Sequence, residues 1–455
     1  MTPKERFSRV SGPLLLFVLI LPLASTASAE WNEKVLYSFQ GVPDGAVPAG
    51  GVVFDKAGNL YGATGDGGAS TCEGPGQCGT VYQLKPPAQK GGLWKETVLY
   101  IFKGHAHNDG ATPEGGLVID QAGNLYGTTG YGGSGPCLLL GAAVGCGAVY
   151  ELSPPAKQGD PWKEKVLYSF QGGKDGYVAF GDLVFDKAGN LYGATLFGGG
   201  KGTTCDSLYG GQCGTVFKLS PPKTKGGHWT EKVLHSFAGG TDGANPNGGL
   251  VLDSKRAVYG TTTIGGNQLC NFGNGNLGCG IVFRLSPMID GTGWTESVIH
   301  RFNETDGDGP NGGLIFDTTG QLYGTAGGGG RGNGLGVVFR FALAQGRWVE
   351  TMLYSFQGGS DGRNPLGPVT FDAAGNIYGT TSYGAGAVFR LSPPAQRDGR
   401  WHFNTLYSFQ GSPDGRYPTA RLIWDKRGQL FSTTEVGGKG QACDGGCGTV
   451  FETSP

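Results

Sequence analysis

Aspartate is the residue most regularly placed to do chemistry in this chain, because an Asp-Gly pair recurs in each of seven sequence repeats. Seven carboxylates on one rim could bind calcium or hydrogen-bond a sugar, but a hard cation needs about six to eight oxygen ligands. Asp-Gly is also ordinary turn chemistry, because the Asp side chain accepts hydrogen bonds from its own backbone. We therefore expect turns without a bound cofactor, with calcium as the alternative. The positions are Asp44, Asp109, Asp175, Asp242, Asp308, Asp361 and Asp414, and Asp306 with Asp308 is the densest acidic spot.

A second aspartate series ends a short apolar run in every repeat and precedes a tight x-x-G turn. An Asp at this place caps a hairpin through its own backbone. We expect this structural role at Asp55, Asp120, Asp186, Asp253, Asp317, Asp372 and Asp425.

Aromatic residues outside the repeated core positions are the best candidates for ligand contacts. Exposed rings in loops can stack on sugars. The predicted binding residues are therefore Tyr131, Phe197, Tyr209, Phe272 and Tyr383, together with Asp306 and Asp308.

No catalytic residue is predicted. Paired carboxylates for glycoside hydrolysis would have to be acids found in only one repeat. The acids of this kind lie in no recognisable motif, and His105 with His107 is a weak metal signal. These acids are Glu73, Glu114, Asp182, Asp206 and Asp444.

The ten cysteines form five close pairs at one position of the repeat. Cysteine pairs that are present only in the longer loops are typical of local disulfide bonds that staple the loop. A zinc site would need ligands from two repeats. The fifth and sixth repeats lack both cysteines and have shorter loops. The predicted pairs are Cys72/Cys78, Cys137/Cys146, Cys205/Cys213, Cys270/Cys279 and Cys443/Cys447.

The elements that must position these residues are four short strands per repeat. Each repeat opens at a tryptophan and runs through W-x-E-x-V-L-Y-S-F (strand D), G-G-L-V-F-D (strand A), N-L-Y-G-T-T (strand B) and G-T-V-F-x-L (strand C). Such units bury their apolar faces only by stacking, which predicts an all-β, seven-bladed β-propeller rather than a solenoid. Because the first repeat opens on strand D and the last ends on strand C, we expect the N-terminal strand to close the last blade.

Gly50 to Thr64 is similar to the core of NHL-type propeller repeats, where G-x-x-x-D-x-x-G-N-x-Y recurs. The whole block, with L-Y-S-F-Q-G-x-x-D-G and G-C-G-T-V-F-x-L-S-P, resembles the GloVer-type tandem repeat family (choice-of-anchor tandem repeat proteins). The resemblance covers about 425 residues and implies an exported bacterial repeat protein with a propeller fold. The resemblance implies no activity for any particular residue. Because no sorting segment like that of the anchored members is seen before Pro455, we do not expect surface attachment.

Residues 1–29 have the features of an export signal: a basic start, an apolar run too short for a membrane span, and Ala27-Ser28-Ala29. Residues 30–455 are then one propeller domain, secreted or periplasmic, with no later membrane span. The formal net charge of −1, with 35 basic and 36 acidic residues evenly scattered, argues against nucleic-acid binding.

The leading functional interpretation is an exported, monomeric, non-catalytic propeller that binds an extracellular polysaccharide or protein through its stapled loops. The alternatives are an exported polysaccharide hydrolase or lyase and a structural protein of the envelope or matrix. A cluster of unlike polar residues at the channel mouth would favour the enzyme, whereas smooth sevenfold symmetry would favour binding or structure.

Overall fold

Seven four-stranded antiparallel sheets build this protein, as the computed structural model shows. The structure describes residues 31–455 except 69–71, 73–77, 90, 158, 201–212, 225, 268–269, 273–274 and 397–398. The predicted export signal lies outside the described residues. The described part is a seven-bladed β-propeller, which confirms the predicted fold class.

Every blade contains strands A, B, C and D in this spatial order. Blade 1 has β2 (Val52–Phe54), β3 (Leu60–Thr64), β4 (Thr80–Lys85) and β5 (Lys95–Ile101). Blade 2 has β7 (Val118–Ile119), β8 (Leu125–Thr129), β12 (Ala148–Ser153) and β13 (Lys163–Ser169). Blade 3 has β14 (Val184–Phe185), β15 (Leu191–Thr195), β16 (Thr215–Ser220) and β17 (Thr230–Ser236).

The remaining blades follow the same plan. Blade 4 has β18 (Val251–Leu252), β19 (Val258–Thr262), β22 (Ile281–Pro287) and β23 (Trp294–Arg301). Blade 5 has β24 (Ile315–Phe316), β25 (Leu322–Ala326), β26 (Val337–Ala344) and β27 (Arg347–Ser355). Blade 6 has β28 (Thr370–Phe371), β29 (Ile377–Thr381), β30 (Ala387–Ser392) and β31 (His402–Ser408). Blade 7 has β33 (Ile423–Trp424), β34 (Leu430–Thr434), β36 (Thr449–Ser454) and, as strand D, β1 (Asn32–Ser38).

Blade 7 is closed by the two ends of the described chain. β1 pairs antiparallel with β36, from Asn32 opposite Ser454 to Ser38 opposite Thr449. This pairing confirms the predicted closure and covers an edge of β36 that would otherwise be open.

Short accessory elements lie in the loops. Their bounds are β6 (Gly110–Ala111), β9 (Tyr131–Gly132), β10 (Leu138–Leu139), β11 (Ala142–Ala143), β20 (Asn271–Phe272), β21 (Gly275–Asn276), β32 (Gly415–Arg416) and β35 (Val436–Gly437), with 3-10 turns at His105–His107, Gly240–Asp242 and Gly359–Asp361. The sequence analysis does not predict these elements, because pairs of two residues leave no hydrophobic period.

Burial follows the chemistry of each strand. Strand B is buried along its whole length in every blade, as in Leu60–Thr64. Strand D instead alternates exposed and partly buried residues over its first half, as in Asn32–Ser38, where Lys and Glu stand among Val, Leu and Tyr. This alternation is typical of an outer strand with one face toward solvent.

Aromatic rings hold neighbouring blades together. The Phe that follows each strand D packs edge-on or tilted against the aromatic residue of strand C in the next blade, with ring centroids 4.9 to 5.4 Å apart. These contacts repeat around the ring as Phe39–Tyr82, Phe102–Tyr150, Phe170–Phe217, Phe237–Phe283, Phe302–Phe339, Phe356–Phe389 and Phe409–Phe451.

The second aspartate series caps the A–B hairpins, as expected. In blade 1, Asp55 Oδ1 accepts hydrogen bonds from the backbone N–H groups of Ala57 (2.8 Å) and Asn59 (2.9 Å), and Oδ2 accepts one from the Tyr61 hydroxyl. Blade 4 keeps the two backbone bonds although Ser254 to Ala257 replace the usual K-A-G-N. These carboxylates therefore serve the turns.

Candidate functional site

The D–A and B–C loops lie side by side on one face of the ring, hereafter the loop face. Short antiparallel bridges join the two loops in each of several blades, for example Ala46 with Asp66 and Tyr177 with Phe197. β6 pairs with β9 in the same way, and β32 pairs with β35. This placement follows from the alternation of strand direction within each antiparallel blade.

Most Asp-Gly carboxylates on this face accept turn hydrogen bonds through one oxygen, Oδ2. Asp44 Oδ2 accepts from the Tyr37 hydroxyl (3.0 Å) and from the backbone N–H of Gln40 (2.9 Å). His235 takes the place of the tyrosine opposite Asp242. Equivalent bonds occur at Asp109, Asp175, Asp361 and Asp414.

Blade 5 requires a correction to this series. The aspartate that accepts from His300 and from the Asn303 backbone is Asp306, not Asp308. Asp308 instead pairs through its backbone with Gly328 in the bridge that Ala46 forms in blade 1. Asp306-Gly307 and Asp308-Gly309 both match the Asp-Gly motif in the sequence. Only the register of the folded loop shows which of the two aspartates takes the turn position.

Asp308 is a partly buried carboxyl beside the Cys270–Cys279 disulfide. Its oxygen and the two sulfur atoms lie within 4.8 Å of one another, but the sulfurs are bonded to each other and offer no thiolate. Burial raises the pKa of Asp308 to about 6, and the charge of Glu304 adds to the shift.

Disulfides staple the B–C loops as predicted. Their Cα atoms are 4.9 to 5.2 Å apart, within the normal range for such bonds. Cys213 is also disulfide-bonded, while Cys205 lies outside the described residues. The described bonds are Cys72–Cys78, Cys137–Cys146, Cys270–Cys279 and Cys443–Cys447.

The five predicted aromatic residues have different environments. Tyr131 is partly buried and packs edge-on against Phe180. Phe197 is only 6% exposed and packs on Tyr177, so its ring faces the protein. Tyr209 lies outside the described residues, and Phe272 is described only through the backbone of β20.

Tyr383 is the predicted aromatic residue that the structure places at the surface. It is 55% exposed in the short B–C loop of blade 6, and the Arg363 guanidinium lies over its ring. Its backbone N–H bonds to the carbonyl of Arg363, which fixes one loop on the other. A groove of about 370 Å³ borders these two residues, with Leu335, Gly358 and Thr381 also in its wall.

A second arginine–tyrosine pair adjoins this groove. Arg416 donates from Nε to the carbonyl of Gly384 (3.0 Å) and from Nη2 to the Tyr417 hydroxyl (2.7 Å). Its guanidinium carbon lies 4.5 Å from the centroid of the Tyr417 ring. We call this groove, together with the adjoining Arg416 and Tyr417, the arginine–tyrosine groove. The groove lies where the disulfide-stapled loops are missing, because blades 5 and 6 lack cysteines.

The segments that lead into strand A form a closed inner ring. A Cβ on Gly50 would lie 2.5 Å from the backbone of Gly115, and one on Gly115 would lie 2.7 Å from the carbonyl of Phe180. Neighbouring blades therefore approach so closely here that glycine is required. Further around the ring, the Asn247 amide donates to the Asn311 side chain (2.7 Å).

Two glutamates break the sevenfold symmetry of this ring. Glu114 precedes Gly115, and its side chain covers Gly65, where a Cβ would lie 3.3 Å from Glu114 Cγ. Glu435 follows strand B of blade 7, accepts a hydrogen bond from the Thr419 hydroxyl, and bonds through its backbone to Tyr417. Glu435 thus connects the inner ring with the arginine–tyrosine groove.

The two glutamates influence each other electrostatically. Burial raises the pKa of Glu114 to about 7, and the charges of Glu435 and Asp66 contribute to the shift. Burial also raises the pKa of Glu435, against the opposing effect of the Thr419 hydrogen bond. The result is a pair of carboxyls of which Glu114 holds a proton readily near neutral pH.

The structure separates the other acids that the sequence analysis singles out. Asp182 lies in the inner ring and accepts a hydrogen bond from the Gly116 backbone (2.7 Å). Asp444 lies between Cys443 and Cys447, while Glu73 and Asp206 lie outside the described residues. Only Glu114 of this group shares its surroundings with a second buried carboxyl among the described residues.

The sequence analysis missed Glu435, Arg363, Arg416 and Tyr417. Glu435 occupies a position where other repeats carry small or apolar residues, such as Gly65 and Leu196. An alignment of the seven repeats with each other could have identified this substitution.

Among the described residues, helices long and apolar enough for a membrane span are absent.

Comparison with known proteins supports the repeat and the fold. The model of the Gloeobacter/Verrucomicrobia repeat matches residues 24–205 and 211–451, which confirms the resemblance seen in the sequence. No curated protein sequence matches the chain.

Solved structures with a similar fold share little sequence with this chain. A candidate 6-phosphogluconolactonase from Bacteroides uniformis ATCC 8492 is 13% identical, with a TM-score of 0.50 over 82% of this chain and 88% of that chain. A candidate 6-phosphogluconolactonase from Bacteroides fragilis NCTC 9343 is 14% identical, with a TM-score of 0.48 over 90% and 88%. At such identities the likeness concerns the fold alone.

Proposed function

Since this chain belongs to the Gloeobacter/Verrucomicrobia repeat family, we propose that it is an exported, non-catalytic propeller that binds an extracellular polysaccharide through its loop face. The proposed leader is residues 1–29, and the stapled loops agree with an oxidising compartment.

The exposed ring of Tyr383 carries this proposal. An aromatic face held by a second loop, and bordered by a groove, offers the flat apolar surface on which a sugar ring stacks. Because Arg363 covers one face of the ring, only the other face and the edge remain for a ligand. A fixed ring loses little conformational freedom on binding, which favours affinity.

The two arginines favour a sugar that carries a carboxylate. A guanidinium has five N–H donors, and Arg416 uses one on Gly384 and one on Tyr417. The remaining donors of Arg416 match the two oxygens of a carboxylate. A polysaccharide containing uronic acid units is therefore the expected ligand, and neutral polysaccharides should bind more weakly.

Titration calorimetry of the signal-free, oxidised protein against acidic and neutral polysaccharides tests this proposal. We expect binding to an acidic polysaccharide, and Tyr383→Ala should weaken it about 10-fold or more, as for a central aromatic contact. Leu93→Ala is the control, since Leu93 is 89% exposed in a C–D turn on the opposite face. Equal affinities of the Tyr383 variant and its parent would contradict the proposal, as would binding only to a protein.

Hydrolysis of the bound polysaccharide is the second candidate function, and the pairing of Glu114 with Glu435 favours it. Glu114 would protonate the glycosidic oxygen as the bond to the anomeric carbon breaks. The Glu435 carboxylate would accept a proton from the attacking water. Two partly buried glutamates that occur in only one repeat each are the broken symmetry expected of an enzyme.

Activity that uses Glu114 as the acid should fall as pH rises through about 7, because its proton is then lost. Release of reducing ends, measured from pH 5 to 9, checks this expectation. Glu114→Gln should lower the rate about 100-fold or more, whereas Leu93→Ala should leave it unchanged. Equal rates for Glu114→Gln and its parent would exclude this mechanism.

A further inference from the structure

Pairs of carboxyls occupy six of the seven described blade interfaces. In each pair, the turn-forming Asp lies in the loop that leaves the preceding strand D, and its charge acts on the Glu of the W-x-E motif on strand D. The pairs, identified by the charge that raises the pKa of each glutamate, are Glu33/Asp414, Glu96/Asp44, Glu164/Asp109, Glu231/Asp175, Glu296/Asp242 and Glu350/Asp306.

The hydrogen bonds around these pairs are incomplete. The Asp Oδ2 atom accepts from tyrosine and backbone, whereas Oδ1 of Asp44 and of Asp414 is buried without a donor among the described residues. Oε1 of the facing Glu96 and Glu33 is likewise buried without a donor. Two ionised carboxylates cannot satisfy each other, because neither has a hydrogen to donate. At Glu33, whose side chain is hydrogen-bonded to Asp414, one proton would supply the missing donor. At Glu96, a proton would remove a charge that is repelled by the charge of Asp44.

The same orphan oxygen recurs at the other four glutamates of the series. Their Oε1 atoms are buried without a donor among the described residues: Glu164, Glu231, Glu296 and Glu350. A feature repeated at six interfaces reflects the architecture rather than one local loop.

Charged and titratable neighbours differ between the pairs. Glu33 adjoins Asp414 and Tyr407, and Glu96 adjoins Asp44, Tyr37 and Tyr82. In three other pairs a positively charged neighbour acts to lower the pKa of the glutamate. These neighbours are Lys103 for Glu164, His235 and Arg301 for Glu296, and His300 for Glu350. The Glu33 and Glu96 pairs are therefore the clearest cases.

We propose that the glutamates of these interfaces hold a proton in the folded protein, shared with Asp414 at Glu33, and that this contribution to the stability of the ring is lost as pH rises through neutrality. Burial is the main cause that raises the pKa of Glu33 to about 8 and that of Glu96 to about 7, from 4.5. Since the folded values are the higher ones, this stabilisation is complete below about pH 4.5 and is lost as pH rises toward 7 to 8.

Blade 6 provides a natural control. Phe403 replaces the glutamate there and stacks on Tyr354, with ring centroids 4.5 Å apart. The facing residue, Asp361, still accepts from Tyr354. This interface holds no glutamate to protonate, and Oδ1 of Asp361 stays buried without a donor among the described residues. Blade 6 should therefore contribute nothing to the pH dependence.

Denaturant unfolding of the parent, Glu33→Gln, Glu96→Gln and the double variant, from pH 5 to 8.5, tests the proposal. The free energy of unfolding of the parent should fall as pH rises. Each Gln substitution should reduce the slope of this free energy against pH by the equivalent of about one bound proton at most. The double variant should exceed the parent in stability at pH 8.5. Parallel curves for parent and variants would overturn the proposal.

A second measurement does not depend on unfolding. The infrared carbonyl band of protonated carboxylic acids should be present in the folded parent at pH 6.5 and reduced in the double variant. A parallel comparison in a Glu114→Gln background separates these pairs from the inner ring. An unchanged band in the double variant would also overturn the proposal.

Discussion

Deletion of residues 31–38, which form strand D of blade 7, should abolish cooperative folding of the propeller. β36 would lose its outer partner along Thr449–Ser454, and the interface between blades 7 and 1 would be opened. Leu36 is part of the core there, and burial of such a side chain contributes about 1.5–3 kcal/mol. The bare edge of β36 would also invite pairing with other molecules. Thermal unfolding by circular dichroism and size-exclusion chromatography would check this result.

Restoring the strand at the other end of the chain is the matched control. Asn32 lies opposite Ser454 in the antiparallel pair, so residues 31–40 joined after Pro455 by a tight turn would form a hairpin with β36. This permuted variant should recover the cooperative transition. A truncated protein that remains monomeric with an unchanged melting temperature would contradict the closure.

Phe237→Ala should be the most damaging single substitution among those considered. The ring is fully buried between blades 3 and 4, packs on Phe283 at a centroid distance of 5.2 Å, and belongs to a cluster that includes Leu250 and Ile281. Removing such a ring leaves a cavity and costs about 3–5 kcal/mol. Denaturant unfolding at fixed pH measures the loss. Phe237→Leu, which keeps most of the volume, should cost clearly less.

The denaturant curve of Phe237→Ala also reports on the cooperativity of unfolding. If the seven blades unfold together, the midpoint should shift without a change in the slope against denaturant. A loss below about 1 kcal/mol for Phe237→Ala would show that the aromatic contacts between blades do not hold the ring together.

The architecture could be predicted from the sequence because the repeat states the same information seven times. The alternation in Asn32–Ser38 is typical of an outer strand, and the apolar segment around Val52–Phe54 is typical of an inner one. The order of strands at the two ends of the repeat array predicted the pairing of β1 with β36. Asp55 and its equivalents were predictable as caps, because a hairpin cap depends only on local residues.

The candidate site depends on contacts between distant residues, and little of it could be predicted. Glu114 and Glu435 come near each other only because the ring closes. Arg363, Tyr383 and Arg416 lie in successive loops whose register a repeat pattern does not specify. Phe197 shows the same limit, since a loop ring expected at the surface is buried against Tyr177.

We propose that the loop face binds an acidic polysaccharide at the arginine–tyrosine groove. Hydrogen–deuterium exchange of the oxidised protein, with and without the polysaccharide selected by calorimetry, tests it most directly. We predict slower exchange in peptides spanning residues 358–364, 381–387 and 415–418, and unchanged exchange in the C–D turns around Leu93 and Ile289. Protection confined to the C–D turns, with the loop peptides unaffected, would contradict the account.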